Sequence, residues 1–115
     1  MERARRLRKG EEFDTAYREG TVTGGPLLAL RRLPNGLGMT RWGFAVGKRL
    51  SKRAVVRNRT KRRLREAARG MGVIPGYDVI VTARQGATDA SFAELKAALE
   101  ALLRRARLLA GADGR

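Results

Sequence analysis

The chain has neither cysteine nor histidine. The first absence excludes disulfides and thiolate metal sites; the second removes the commonest general base and the commonest transition-metal ligand. Acids are scarce: 11 Asp and Glu stand against 26 Lys and Arg, a formal charge of +15. Asp78, Asp89, Glu94 and Glu100 are scattered over a strand start, a cap and helix surfaces. No pair has the spacing of a general acid–base couple or a two-metal site. No Gly-Lys-Ser/Thr follows Gly43 and Gly47 at P-loop spacing. No apolar run approaches the roughly 20 residues of a bilayer span. Residues 1–9 carry charge with no apolar stretch behind it, unlike a secretory signal. These absences predict a soluble, cytoplasmic chain with no catalytic residue and no metal ligand of its own, and no membrane partner.

What remains is apolar substance and positive charge. With 115 residues and 43% apolar content, the length suits a single domain, 1–115, with a modest core. Residues 1–9 read as a basic arm anchored by Leu7, and 110–115 as a frayed tail. A field of this sign attracts polyanions, so nucleic acid is the natural partner; no protein partner is evident.

The pattern of elements is helix, strands, helix, strand, helix. Glu11 to Glu19 is a short helix stopped by Gly20, with its acids at the positive end of the dipole. Leu27 to Leu33 is a strand after a Thr23-Gly24-Gly25-Pro26 breaker, and Pro34-Asn35-Gly36 is a turn. Arg41 to Val46 alternates as a second strand, so the two are expected to pair antiparallel. Ser51 is the expected N-cap of a helix from Lys52 to Arg69, closed by Gly70. Tyr77 to Ala83 is a β-branched, buried strand. Ser91 and Glu94 form a capping box before a helix whose apolar stripe is Leu95, Leu99, Leu102, Ala106 and Leu109. The fold class is α+β: an α–β sandwich with one central sheet and helices mainly on one face.

The run Arg57-Asn58-Arg59-Thr60-Lys61-Arg62-Arg63-Leu64-Arg65-Glu66 carries most of the functional signal. On a helical wheel Val56, Thr60, Leu64, Ala67 and Met71 share one side. Asn58, Lys61, Arg62, Arg65 and Arg69 share the other, with Arg57 and Arg59 on the flanks. A solubilising face normally mixes signs, yet Glu66 is the only acid between Ser51 and Gly76. Arg pairs with phosphate bidentately, and Asn reads a base or ribose from either side. Lys48, Arg49, Lys52 and Arg53 extend the patch onto the loop before the helix, where orphan N–H groups favour anions. Phe13 and Tyr17, at i and i+4, share one face. Spacing alone puts Phe13 in the core and leaves Tyr17 open between core anchor and base-stacking platform. Trp42 and Phe44 read as core.

Arg57-Asn58-Arg59 with Lys61-Arg62 and Arg65-Glu66, preceded by Ala54-Val55, closely resembles the signature of the protein subunit of bacterial ribonuclease P. Arg6-Leu7 before Glu12-Phe13, Gly43 to Val46 leading to Lys48-Arg49, and Tyr77-Asp78 leading to Ala83-Arg84 agree with it. The resemblance implies a ribonucleoprotein endonuclease that removes the 5′ leader of precursor tRNA, in which a catalytic RNA holds the Mg2+ ions. The protein would raise substrate affinity and aid metal binding. It also implies a left-handed crossover through the basic helix. Carried over by position, Arg59, Lys61, Arg62, Arg65 and Arg69, with Lys52 and Arg53, would bind the catalytic RNA. Phe13, Tyr17, Lys48, Arg49, Arg57 and Asn58 would face the leader and substrate. The stretch Ser51-Lys52-Arg53 departs from the family's usual Gly, and Leu27 to Leu33 has no aromatic where several members carry one. A structural RNA binder of ribosomal-protein type is the competing reading; DNA compaction is a weaker third.

Overall fold

A computed structural model describes residues 6–7 and 10–110, so most of the expected basic arm and frayed tail lies outside the described residues. Helix α1 (Glu11–Glu19) is followed by strands β1 (Thr21–Gly24), β2 (Leu28–Pro34) and β3 (Arg41–Ala45), helix α2 (Ala54–Arg69), strand β4 (Tyr77–Ala83), a 3-10 turn (Ala87–Asp89) and helix α3 (Phe92–Arg105). The four strands form one sheet in the order β1-β2-β4-β3. β4 runs antiparallel to β2 and parallel to β3. No described helix is long and apolar enough to cross a membrane.

The expected antiparallel pairing of the strands at Leu27–Leu33 and Arg41–Val46 is not formed, because β4 lies between them. β4 is apolar on both faces, Val79 and Val81 on one and Ile80 on the other, all fully buried. A strand of that kind takes the centre of a sheet. The Pro34-Asn35-Gly36 segment is therefore a bridge across the end of β4 and not a hairpin turn: Asn35 N donates to Gly76 O at 2.9 Å. Thr21–Gly24, read in part as a breaker, is a strand paired with β2 from Thr21↔Arg32 to Gly24↔Ala29.

Two apolar layers follow from strand alternation. On one face Leu28, Leu30, Trp42, Val79 and Val81 pack with Leu64 and Ala67 of α2 and Leu95, Leu99, Leu102 and Leu103 of α3. On the other, Ile80 and Leu33 meet Ala16 and Phe13 of α1 and Leu7. Helix α3 opens with the full capping box: Glu94 N donates to Ser91 Oγ at 3.1 Å and Ser91 N to Glu94 Oε1 at 2.8 Å. The expected Ser51 cap of α2 is replaced by Arg53, which makes no side-chain cap bond. Ser51 Oγ instead accepts from Arg53 N at 3.2 Å, a local turn that delays the helix by two residues.

One ionic cluster fastens α1 to the sheet. Arg41 donates to Asp78 through Nε and Nη2, both at 2.9 Å, and to Glu12 through Nη1 at 2.9 Å. Asn35 Nδ2 donates to the same Asp78 carboxylate at 2.9 Å. The paired carboxylates raise the Arg41 pKa, the Asp78 hydrogen bond foremost. Asp78 is 5% exposed, so its charge depends on this fork. Removing one partner of a buried pair costs about 3–5 kcal/mol; Arg41→Ala is expected to lower stability in denaturant titration by that order, and Glu12→Gln by less than about 1 kcal/mol because Glu12 is exposed.

Gly43 gives the second constraint. A Cβ there would stand 2.9 Å from Phe13 Cε2 and 3.3 Å from Leu7 Cδ1. Gly43→Ala is expected to lift the Phe13 ring and cost roughly 1–3 kcal/mol; an unchanged denaturant midpoint would show that the ring has room.

Candidate nucleic-acid interface

The buried stripe of α2 is Thr60, Leu64, Ala67 and Ala68, which orients every cation on the helix. Asn58, Arg59, Arg62 and Arg69 are exposed on the outer face, and Lys52 and Arg53 are exposed just before it. Arg59 and Arg62 make no hydrogen bond or ion pair among the described residues. Arg69 is held by Glu66, with Nη2 at 3.2 Å from both carboxylate oxygens. Arg57 and Arg63 turn inward: Arg57 Nη1 donates to Ser51 O at 2.9 Å and Arg63 Nη1 to Ala90 O at 3.1 Å. Arg57 thus ties the start of α2 to its loop.

Lys61 and Arg65 are half-buried on one flank of the stripe and not opposite it. They reach around the outer edge of β3 to a groove of about 610 Å3, where they meet Arg6, Leu7, Phe13, Asp14 and Phe44. The Arg65 guanidinium carbon lies 5.9 Å from the Phe44 ring centroid, within cation–π range. Its Nε is buried with no hydrogen-bond partner among the described residues. Burial, and then the charge of Arg6, lowers the Arg65 pKa. Residues assigned to two ligands by sequence, Phe13 on one side and Lys61 and Arg65 on the other, therefore line one groove.

Tyr17 stands on the opposite face of the sheet from α2 and is 44% exposed. Its ring stacks on Phe13 at 6.4 Å between centroids, and the Arg31 guanidinium covers it at 3.9 Å. The sheet beside it is low: Gly24, Ala29, Thr82 and Ala45 pair across the four strands on this face. Beyond them Arg49, Thr82, Arg84 and Gln85 line a second groove of about 740 Å3. Thr82 Oγ1 is buried there without a partner among the described residues. Lys48 is exposed on the same loop. The geometry is a low trough with aromatic and cationic groups at its margins, suited to stacking and phosphate pairing.

Sequence reasoning missed Arg31, Thr82 and the part played by Arg6. Arg31 carried a readable signal, since strand alternation puts it on the face of Ala29 and Leu33, away from the larger core. Its contact with Tyr17 needed the packing of α1.

A model of the family described as Ribonuclease P matches residues 1–107. The chain belongs to the ribonuclease P protein family. Among similar proteins, the ribonuclease P protein component of Symbiobacterium thermophilum is 44% identical over 112 residues, covering 95% of this chain and 96% of that one. That of Dehalococcoides mccartyi strain CBDB1 is 39% identical over 113 residues, covering 98% and 93%. The RNase P protein of Staphylococcus aureus superposes with a TM-score of 0.82 at 29% identity, over 93% of this chain and 99% of that chain. The RNase P protein of Thermotoga maritima gives 0.77 at 27%, over 87% and 96%. The mixed α+β fold is thus the fold of ribonuclease P proteins.

Arg59 and Arg62 are exposed and carry no hydrogen bond or ion pair among the described residues, so both guanidinium groups are open to an anion. Arg59→Ala and Arg62→Ala are each expected to reduce the salt slope of affinity for a structured RNA by about one phosphate contact, and Arg69→Ala by less, because Glu66 already neutralises it. Equal slopes for all three variants and the parent would limit these side chains to solubility.

Proposed function

We propose that this chain is the protein component of a ribonuclease P that removes the 5′ leader of precursor tRNA in the cytoplasm, with the cleavage chemistry in its RNA partner. The outer face of α2, led by Arg59 and Arg62 with Lys52 and Arg53, docks the catalytic RNA. The single-stranded leader crosses the other side of the sheet, stacking at Tyr17 and tracking toward Lys48 and Arg49. Asn58 and Arg57 stand at the start of α2, where the two RNA surfaces approach each other. The protein contributes substrate affinity and leaves bond cleavage to its partner.

The observation that carries this reading is the ladder Arg31–Tyr17–Phe13 on the sheet face opposite α2 and α3. Tyr17 is half-exposed, and its face opens to an unpaired base when the Arg31 guanidinium moves from the ring to a phosphate. The acids support the division of labour. Among the described residues no group of three or more His, Cys, Asp or Glu gathers to hold a metal ion. Glu12 and Asp78 bind Arg41, Glu66 binds Arg69, Glu100 binds Arg104 and Glu94 closes a cap. Each of these five carboxylates already has a cation or a backbone N–H as its partner. Mg2+ is assigned to the RNA, and any help to metal binding acts through how that RNA is held.

Reconstitution tests the reading. Purified protein alone is expected to leave precursor tRNA intact, and to support leader removal with a bacterial ribonuclease P RNA at low magnesium; cleavage by the protein after ribonuclease treatment would place the chemistry in the chain. Tyr17→Ala is expected to weaken binding of precursor more than of mature tRNA. One stacked base is worth roughly 1–3 kcal/mol, a loss of about 5- to 150-fold. Equal loss for both tRNAs would remove Tyr17 from the leader track. Phe13 is a poorer probe because it also packs on Leu7 and Ile80.

A further inference from the structure

The groove along the outer edge of β3 is not a simple phosphate cradle. One part of its wall is cationic: Arg6, Lys61 and Arg65. The rest is apolar, with Leu7, Phe13, Trp42, Phe44 and Val46. Asp14 stands at its margin. Its volume of about 610 Å3 falls in the range of small-ligand sites, roughly 300–1,000 Å3. A run of duplex phosphates would bring repeated negative charge against Asp14 and leave the aromatic wall without use. One phosphate with one base attached matches both halves.

The polar details favour the same ligand. The Arg65 guanidinium carbon lies 5.9 Å from the Phe44 ring centroid, and its Nε is buried and unpaired among the described residues. A buried donor left unmatched costs free energy, which is recovered when the Arg65 side chain shifts to meet an anionic oxygen in the groove. Trp42 and Phe44 are themselves parallel, 2° between ring planes at 5.9 Å, so the Phe44 surface is rigid. Leu7 N donates to Trp42 O at 2.7 Å, pairing the entering chain with the strand edge. Past that bond the outer edge of β3 has no strand beside it among the described residues.

We infer that this groove binds one unpaired, extruded nucleotide of the catalytic RNA, its phosphate at Arg65 and Lys61 and its base against Phe44. The inference rests on the docking role proposed for α2 and names the ligand chemistry at its flank. The catalytic RNA is the source because the cations of the groove, Lys61 and Arg65, belong to α2, whereas Tyr17 stands over the opposite face of the sheet and does not line the groove. The site turns a general electrostatic contact into one that recognises a particular bulged position.

Two measurements test it. In the isolated full-length chain, titration with 5′-AMP followed by amide NMR is expected to move Gly43 to Val46 together with Lys61 and Arg65. Inorganic phosphate is expected to move only Lys61, Arg65 and Arg6, and to bind roughly tenfold more weakly. Equal affinity for the two, or AMP shifts away from β3, would overturn the nucleotide site. In the reconstituted complex with precursor tRNA, Phe44→p-azidophenylalanine is expected to crosslink to a single unpaired position of the catalytic RNA. Crosslinking to the leader, or to paired RNA at many positions, would overturn the assignment. The AMP titration needs no RNA partner, so its failure is separable from failure of leader removal in reconstitution.

Discussion

The structure depends on β4 being buried on both faces. Val79 and Val81 face the layer of α2 and α3, and Ile80 faces α1, all without measurable exposure. A strand satisfied in this way stands at the centre of the sheet, which sends β3 to an edge and requires α2 to cross over between β3 and β4. The basic helix and the aromatic helix are consequently placed on opposite faces. Burial of three β-branched side chains thus separates two surfaces of like charge that would otherwise compete for one polyanion.

The separation is held in register by one carboxylate. Asp78 receives both arms of Arg41 and the amide of Asn35, so β3, β4 and the β2–β3 connection share a single buried anion. Through Arg41 the same cluster reaches Glu12 and ties the first turn of α1 to the edge of the sheet. Gly43 completes the arrangement by letting Phe13 lie close on the sheet. Tyr17, one turn further along α1, then projects beyond the core and meets Arg31. The exposed ring is a consequence of how tightly its neighbour is buried.

Much of this was legible in the chain. The capping box at Ser91 and the β-branched run of β4 express local periodicity and are formed; the α3 stripe holds for Leu95, Leu99 and Leu102 and the α2 side for Thr60, Leu64 and Ala67, while Met71 and Leu109 lie beyond the helix ends, Leu109 in a bridge to Val73. Strand order was not legible, because alternation says which face a residue occupies and nothing about its neighbours. The nearest strand in sequence was expected beside β2, but the most apolar one took that place. On α2 the wheel separated apolar from cationic residues yet placed Lys61 and Arg65 on the outer face. Their position on the flank depends on where the β3 edge and α1 lie, which is tertiary information. The Arg57-Asn58-Arg59 motif pointed to the family, whereas Arg31 and Thr82 are brought to the trough only by the register of four strands.

The division between the two faces can be measured directly, because a chain without cysteine accepts a single tethered probe. An iron chelate attached at Arg18→Cys, beside Tyr17, and another at Glu66→Cys, on the outer face of α2, would generate hydroxyl radicals in the reconstituted complex with precursor tRNA. The probe at position 18 is expected to cut the leader and spare most of the catalytic RNA, and the probe at position 66 to cut the catalytic RNA and spare the leader. The same cutting pattern from both positions, or the reverse assignment, would contradict the account.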